Sequence, residues 1–399
     1  MKTIESKEEF KKYVGGVISS KSYRDPIGFG ICRVDLGQLD STKVLQATYP
    51  VINWKENNGS AAVFIDALFQ SGVNIDFSKS EAIANVSFDF LKNALNIFAP
   101  YLEEAFGDEH KNVQVIENLF HIANDLGITE SEYRIVFIFE DLAPQSVESV
   151  YLKLYALSSG KAPLRSLALN GAFGKLHNVA WSSNSPIELD WLRANEIELK
   201  LTDEYPAIDF VDKFPRFLQH IIPADNTRIL DTAKVRFGAQ VHAGTTLMPG
   251  ASYINFNAGT TGAVMVEGRI SSSAIVGDGS DIGGGASILG VLSGTDGNPI
   301  TVGKNTLLGA NAVCGIPLGD SCIIDAGLSI LEGTKIFIAN DQLSRIREVN
   351  PKTQLTDKEI FKGKELASLS GVHYRQDAQS GQIVGLRSKR EIKLNEELH

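Results

Sequence analysis

The apolar residues in the second half of the chain recur every six positions. The period starts at Ile229, reaches Tyr253, slips by one residue, resumes at Val264 and continues to Ile336. A period of six fits neither the 3.6-residue turn of an α-helix nor the two-residue alternation of a strand. It is typical of a hexapeptide β-helix, in which three repeats make one triangular coil. We therefore predict a β-helix over residues 229–336, about 28 Å tall at the ~4.7 Å spacing of strands.

Small residues accompany this period. Twenty of the 36 glycines lie within residues 229–336, where they would let the chain turn at the corners of the coils. A small side chain also stands two residues before many of the apolar positions: Ala233, Ala239, Thr245, Ala251, Ala274, Ser280, Ala286, Thr306 and Cys322. We predict that these point inward, and we interpret Cys322 as a core residue rather than a redox-active one.

Residues 1–228 show mixed patterns and predict an α+β domain. Apolar residues at helical spacing predict helices over 88–106, 113–126 and 147–157. The β-branched and aromatic run Tyr133–Phe139 predicts a buried strand, and the alternation in Ile197–Leu201 predicts a half-exposed one. This domain contains no recognisable catalytic motif.

The period stops after Ile336, and residues 337–399 predict a C-terminal cap on the open end of the β-helix. We expect a helix over 357–368 and a hairpin over 372–393 that turns at Gln379-Ser380-Gly381. A polar excursion at 293–299 leaves the coil and returns. It is either a flap over the substrate or a tolerated insertion.

Composition narrows the classes of protein. The 399 residues carry a formal net charge of −10, which argues against a general nucleic-acid binder. No apolar run has the length needed to cross a membrane, and the acidic N-terminus does not resemble a signal peptide. Three cysteines do not make a disulfide framework. We expect a cytoplasmic protein that acts on small molecules.

Several motifs within residues 255–335 resemble the tetrahydrodipicolinate N-succinyltransferases, members of the hexapeptide-repeat acyltransferase superfamily. The resemblance covers about 225–390, and its runs are Asn255–Thr260, Met265–Ser271, Val276–Ile288, Leu308–Asn311 and Leu318–Asp320. It implies a left-handed parallel β-helix and a homotrimer with active sites between subunits. The implied reaction moves succinyl from succinyl-CoA to the amine of tetrahydrodipicolinate in its ring-opened form, L-2-amino-6-oxopimelate. No permanently bound cofactor is implied.

Glu267, in the run Met-Val-Glu-Gly-Arg, is the catalytic residue that the resemblance implies. Its role would be either a general base or an acyl-anhydride nucleophile, and we favour the base because a thioester is already activated. Aminolysis needs such a proton acceptor, together with donors for the oxyanion. The alternative is a glutamate that only solvates an outer face of the coil.

The resemblance also implies contacts to the acyl donor. Arg269 suits a carboxylate because its guanidinium is planar, although a surface ion pair would explain it too. The three glycines Gly283-Gly284-Gly285 would let a ligand approach the backbone, or would only form tight corners. The other implied contacts are Gly284, Ser287, Ala310, Asp325, Ala326, Gly333, Lys362 and Arg375; Asp325 stands where some relatives have glutamate.

Competing functions remain open at this point. Another CoA-dependent acetyltransferase with a histidine base would have to use His242, which lies well before these motifs. A zinc enzyme on this fold would need three histidines across adjacent coils, and the single His242 within the repeats cannot suffice. A non-catalytic β-helix scaffold would not require Glu267 with Arg269. Some relatives bind magnesium through acids before the Asn-Phe-Asn run, but residues 247–254 contain no acid, so we predict no metal site.

Overall fold

The protein is described here by a computed structural model that covers residues 3–20, 23–127, 132–291, 297–389 and 394. The chain forms two compact units. One comprises 1–156 with 167–215, and the other comprises 157–166 with 216–399. The three-part division at 228 and 336 stays a prediction.

The first unit is built around an antiparallel sheet with a layer of helices. Its strands lie in the order Val44–Trp54, Gly28–Leu36, Tyr133–Ile138 and Glu81–Asn85. The predicted strand at 133–139 is therefore a central one, and its residues 135–139 are buried. The helices of this part of the chain are Lys7–Ile18, Asn58–Gln70, Phe88–Phe98 with the 3-10 helix Ala99–Glu104, and Lys111–Leu126.

Local chemistry explains where these helices begin and what they cover. The side chains of Ser6 and Ser87 each accept a hydrogen bond from a backbone N–H in the first turn of the following helix, which satisfies donors that a helix start leaves free. Buried aromatic rings then fill the space between helices and sheet. Phe64 contacts Phe29, Phe90 and Phe98 at ring-centroid distances of 5.9–6.0 Å.

A smaller sheet follows in the same unit, with strands Ser185–Glu188, Val179–Ser182 and Phe210–Asp212 in that order. Helices Val147–Ser158, Ala172–Lys175 and Leu189–Leu201 belong to this part of the chain. The strand predicted at Ile197–Leu201 is wrong, because these residues end a helix. Glu, Leu and Lys are good helix formers, Glu196 pairs with Lys200 one turn on, and Ile197 and Leu201 are exposed.

The second unit is a parallel β-helix with three faces, as the six-residue period predicts. Its strands are two or three residues long before the C-terminal segment, and equivalent strands of successive coils pair in parallel. One face contains 253–254, 269–270, 287–288, 313–314 and 329–330; the next contains 259–260, 275–276 and 301–302; the third contains 228–229, 246–247, 264–266, 280–282, 307–308, 323–324 and 372–376.

The structure corrects the phase of the period near its first slip. Ile254, not Tyr253, is fully buried, and Ser252 rather than Ala251 stands buried two residues before it. Val264 pairs with Ser280 and so occupies the small-residue position, while Val266 pairs with Ile282 and points inward. Ala233 is also exposed rather than inward. The first slip therefore falls between Leu247 and Ile254, whereas the sequence pattern places it between Tyr253 and Val264.

A second irregularity accompanies this slip. The next inward residue after Val266 is Ile270, only four positions on instead of six. The chain turns this shortened corner at Gly268, where a Cβ atom would stand 2.4 Å from the carbonyl oxygen of Ala286. Only glycine fits this position. The corner carries Glu267 on one side and Arg269 on the other.

The C-terminal segment extends the third face. The predicted hairpin is confirmed, with strands Val372–Gln376 and Ile383–Arg387. The helix predicted over 357–368 is wrong: strand Ile360–Lys362 pairs with Lys335–Phe337, and only a short 3-10 helix, Gly363–Leu366, follows. Helix Asn340–Val349 was not predicted. Residues 293–296, four of the seven in the predicted flap at 293–299, lie outside the described residues.

Candidate active site

Eight of the ten predicted site residues lie along one edge of the β-helix. Val266, Ile282, Leu308, Ile324 and Tyr374 are inward residues in register on the third face. The residues that follow them therefore stack at the edge toward the first face. We call this the Glu267 edge; it is formed by Glu267, Gly283, Gly284, Gly309, Ala310, Asp325, Ala326 and Arg375, with Arg269 and Ser287 beside it on the first face.

Glu267 is fixed through its backbone and free at its carboxylate. Its N–H donates to the carbonyl oxygen of Ile282 at 2.8 Å, as expected for a parallel β-helix. The side chain is half-buried, and among the described residues no hydrogen bond or ion pair occupies the carboxylate. A carboxylate in this state has lone pairs available for a proton from a substrate.

The three glycines at the next coil differ from one another. A Cβ atom on Gly283 would stand 2.7 Å from the carbonyl oxygen of Leu308, and one on Gly285, where φ is +72°, would stand 2.3 Å from Oδ1 of Asn311. These two glycines form a tight corner. Gly284 has space, and a Cβ atom there would lie 3.5 Å from Oε2 of Glu267. Gly284 thus leaves room beside the carboxylate.

Gly284 starts a row of backbone N–H groups along the Glu267 edge. Within the described residues, the N–H groups of Gly284, Ala310 and Ala326 donate to no backbone carbonyl, although both chain neighbours of each do. These residues occupy equivalent places on three successive coils, and strands of neighbouring coils lie about 4.8 Å apart. Such a row provides hydrogen-bond donors for carbonyl oxygens of a bound ligand.

Arg269 and Ser287 form one hydrogen-bonded pair across two coils. Nε and Nη2 of Arg269 donate to Oγ of Ser287 at 3.1 and 2.7 Å. Ser287 is 8% exposed, whereas Arg269 is exposed. Among the described residues Arg269 forms no ion pair, so the alternative of a surface ion pair is not observed. Ser287 thus holds the guanidinium through Nε and Nη2, and Nη1, which makes no hydrogen bond among the described residues, is available to a carboxylate.

A carboxylate, an imidazole and a guanidinium meet farther along the same edge. Nε2 of His373 donates to Oδ1 of Asp325 at 2.7 Å. Oδ2 of Asp325 lies 3.9 Å from Nε of Arg375. His373 was missed in the sequence, although the alternation of strand Val372–Gln376 places it on the same face as Arg375.

Gly333 and Lys362 lie together at a different corner. Lys362 pairs with Lys335 in the antiparallel pair of strands, and the turn 331–334 contacts the chain at Gly363. The N–H of Lys362 donates to the carboxylate of Glu365 at 2.8 Å. The side chain of Lys358 also donates to this carboxylate, and the two hydrogen bonds lower the pKa of Glu365. The structure therefore does not bring Gly333 and Lys362 to the Glu267 edge of the same chain.

Arg165 is a further residue that sequence reasoning missed. It belongs to the segment 157–166, which is part of the second unit. Its N–H donates to Oδ1 of Asn257 at 2.8 Å, Nη1 donates to Oγ1 of Thr301 at 2.9 Å, and Nε and Nη2 donate to the carbonyl oxygens of Ser273 and Ile300. Burial lowers the pKa of this guanidinium. Arg165 thus ties three coils together at their corners.

The described residues offer no group of three or more His, Cys, Asp or Glu that would hold a metal ion. The cysteines are free and buried. Burial raises the pKa of the Cys314 thiol to about 12 and that of Cys322 to about 11, so both are protonated and unreactive at neutral pH. Cys322 lies in the core, as predicted. Among the described helices, none is long and apolar enough to span a bilayer.

Family models match most of the chain. Residues 8–174 match the family described as tetrahydrodipicolinate N-succinyltransferase N-terminal, and residues 176–216 match its middle domain. Residues 299–332 match the hexapeptide repeat of succinyl-transferase. The N-terminal domain contains no recognisable catalytic motif, but nearly its whole length matches the models of this family.

Full-length relatives are similar over the whole chain. A 2,3,4,5-tetrahydropyridine-2,6-dicarboxylate N-succinyltransferase from Sulfurimonas denitrificans is 64% identical over 100% of both chains. One from Campylobacter jejuni is 56% identical over 99% of this chain and 100% of its own. A crystal structure described as a 2,3,4,5-tetrahydropyridine-2-carboxylate N-succinyltransferase from Campylobacter jejuni superposes with a TM-score of 0.91, at 54% identity, over 98% of this chain and 100% of that one.

Proposed function

The chain belongs to the tetrahydrodipicolinate N-succinyltransferase family, and on that premise we propose that succinyl transfer takes place at the Glu267 edge. The protein is a succinyltransferase of lysine and diaminopimelate biosynthesis, and this activity implies succinyl-CoA as its co-substrate. One observation carries the proposed site. The unoccupied carboxylate of Glu267 lies beside the side-chain-free Gly284, at the start of a row of unused N–H groups.

The reaction is aminolysis of a thioester. The neutral amine of L-2-amino-6-oxopimelate attacks the thioester carbonyl, so that a C–N bond forms and the C–S bond breaks. Glu267 accepts the proton that the attacking nitrogen loses, and the CoA sulfur leaves with the electron pair of the broken bond. Because the thioester is already activated, this path needs no anhydride on Glu267. A positioned base contributes typically 10²- to 10⁴-fold.

The oxygen of the thioester carbonyl gains negative charge during the attack. The N–H of Gly284 is the donor nearest to Glu267 along the edge that the fold leaves unused, and such a fixed donor stabilises an oxyanion. Arg269, held by Ser287, faces a carboxylate of the succinyl group or of the acceptor. These groups fix the two reactants relative to Glu267.

The rest of the acyl donor lies along the edge in this proposal. The N–H groups of Ala310 and Ala326 meet the amide oxygens of the pantetheine arm, while Asp325 and Arg375 lie at its phosphate end. Gly333 and Lys362 remain proposed contacts from another corner. In a homotrimer with active sites between subunits, the β-helices of two neighbouring subunits flank the donor, so residues from two different edges contact it.

Release of CoA thiol tests this proposal. The protein is incubated with the acceptor and either succinyl-CoA or acetyl-CoA, and thiol is followed over time. We expect acceptor-dependent release that is faster with succinyl-CoA. Release no faster than the background hydrolysis would contradict an enzyme and favour a non-catalytic scaffold. Faster release with acetyl-CoA would favour an acetyltransferase instead.

A further inference from the structure

The group formed by His373, Asp325 and Arg375 contains one residue, His373, that has no part in the reaction described above. We propose that His373 is a positioning residue for the acyl donor. It holds the carboxylate of Asp325, which in turn orients the guanidinium of Arg375 toward the diphosphate of CoA. This inference rests on the proposed course of the donor along the Glu267 edge.

The hydrogen bond between His373 and Asp325 has a fixed direction. An ionised carboxylate only accepts, so Nε2 of His373 carries the proton in this contact at 2.7 Å. His373 itself stands between two apolar strand neighbours, Ile323 on one side and Leu386 on the other. Its buried neighbour Tyr374 points inward, so the His373 ring lies on the outer face of the sheet between these two side chains. The imidazole therefore fixes one oxygen of Asp325.

The other oxygen of Asp325 faces Arg375. The 3.9 Å between Oδ2 and Nε is an ion-pair distance, too long for a hydrogen bond. Nε is the guanidinium nitrogen that approaches this carboxylate, and neither terminal nitrogen is hydrogen-bonded to it. Among the described residues these terminal nitrogens make no hydrogen bond, and the Arg375 side chain is 52% exposed. Such a fork is suited to phosphate oxygens.

The distance along the edge fits this assignment. Arg375 follows Tyr374, which is four strand steps from Val266 in the register of the third face. Four steps correspond to about 19 Å. This is the length scale of an extended pantetheine arm between its thioester and its diphosphate. A thioester at Glu267 therefore brings the first phosphate to the level of Arg375.

A donor without phosphates separates this role from a purely structural one. Wild type, His373→Leu and His373→Gln are compared with succinyl-CoA and with S-succinyl-pantetheine as donors. Leucine fills the apolar site without a donor, whereas glutamine retains an N–H group. With succinyl-CoA we expect His373→Leu to raise KM about tenfold with kcat unchanged, and His373→Gln to recover most of this loss. With S-succinyl-pantetheine all three proteins should have equal kcat/KM.

Equal losses of His373→Leu with both donors would overturn the inference and leave His373 a structural role only. Unchanged kinetics with succinyl-CoA would overturn it as well. If wild type transferred succinyl from neither donor, the proposed function itself would fail, and this inference with it. The two failures are therefore distinguishable.

Discussion

At the scale of single residues, the proposed site depends on Gly284, which has no side chain and so leaves space beside Glu267. Gly284 alone of the three adjacent glycines has space for a Cβ atom, and that space lies beside the carboxylate of Glu267. The fold requires glycine at 283 and 285, but not at 284. The local sequence does not separate the three glycines, because the distance to the neighbouring coil is a tertiary property. Only the family resemblance singled out Gly284 as a donor contact.

Gly284→Ala should therefore affect activity more than stability. We expect kcat/KM for succinyl-CoA to fall by at least about tenfold, because the methyl group takes the space of the reacting carbonyl, while the free energy of unfolding changes by less than about 0.5 kcal/mol. Gly309→Ala is the matched control, since its Cβ atom would stand 2.5 Å from the backbone nitrogen of Ala326. That control should lose stability. A fully active Gly284→Ala would place the donor elsewhere.

His220 gives a second prediction at this scale. Burial lowers its pKa to about 3, whereas an unfolded histidine takes up its proton near pH 6.5. Between these values the unfolded chain binds one more proton than the folded one. Acid therefore reduces the free energy of unfolding, by up to about 1.4 kcal/mol per pH unit from this residue, and the contribution is constant above pH 6.5.

The measurement compares wild type with His220→Phe in urea unfolding at pH 7.5 and pH 5.5. Phenylalanine retains the stacking on Phe237, where the ring centroids are 4.5 Å apart. We expect wild type to lose about 1 kcal/mol more than the variant on acidification. Parallel losses in both proteins would show that His220 takes up its proton equally in the folded and unfolded states.

At the scale of elements, the sequence predicted those helices and strands whose formation depends on local sequence, and missed those that depend on pairing with distant residues. The hexapeptide coils and the hairpin at 372–387 follow from period and turn residues in the sequence itself, and both are confirmed. Strand Ile360–Lys362 exists because it pairs with Lys335–Phe337. Its local sequence predicted a helix, and tertiary pairing overrode that preference. The shortened corner at Gly268 was also missed, because the sequence pattern placed Val264 instead of Val266 inward, six positions before Ile270.

The contacts of Arg165 were not predictable for the same reason. Its partners Asn257, Ser273 and Thr301 lie about a hundred residues away along the chain. Nothing in the local sequence around 157–166 marks this segment as part of the β-helix unit. Only the folded chain shows that it closes the corners of three coils.

Arg165→Ala should loosen the coils that this side chain joins. Losing charged hydrogen bonds to partly buried carbonyls should cost about 2 to 4 kcal/mol. We expect faster amide hydrogen exchange at Ile275–Val276 and Thr301–Val302. Arg33→Ala, which removes an exposed ion pair with Asp35 in the first unit, is the control and should leave these amides unchanged. Unchanged exchange in Arg165→Ala would show that the Arg165 side chain does not stabilise the coils.

At the scale of the whole molecule, the fold class could be predicted and the assembly is still a proposal. The α+β N-terminal part and the left-handed parallel β-helix are as the sequence indicated. The topology of the N-terminal unit could not be predicted, because its strand order arises from long-range pairing. Gly333 and Lys362, which lie apart from the Glu267 edge, are consistent with a donor that contacts two subunits.

Light scattering tests the assembly. We expect a particle of three times the 43.3 kDa chain mass, and we expect activity to decrease when dilution dissociates it, because the proposed sites lie between subunits. A monomer with full activity would contradict the trimer and would require one chain to supply every contact of the donor.

The turnover of Glu267→Gln with succinyl-CoA and the acceptor tests the proposed role of Glu267. Glutamine preserves the size of the side chain and cannot accept the proton. We predict that kcat falls by at least about 10²-fold while the mass of the assembly and KM for succinyl-CoA stay as in wild type. Glu348→Gln, a change at an exposed position of helix Asn340–Val349 outside the Glu267 edge, should retain full activity. Near wild-type kcat in Glu267→Gln would show that Glu267 is not the base.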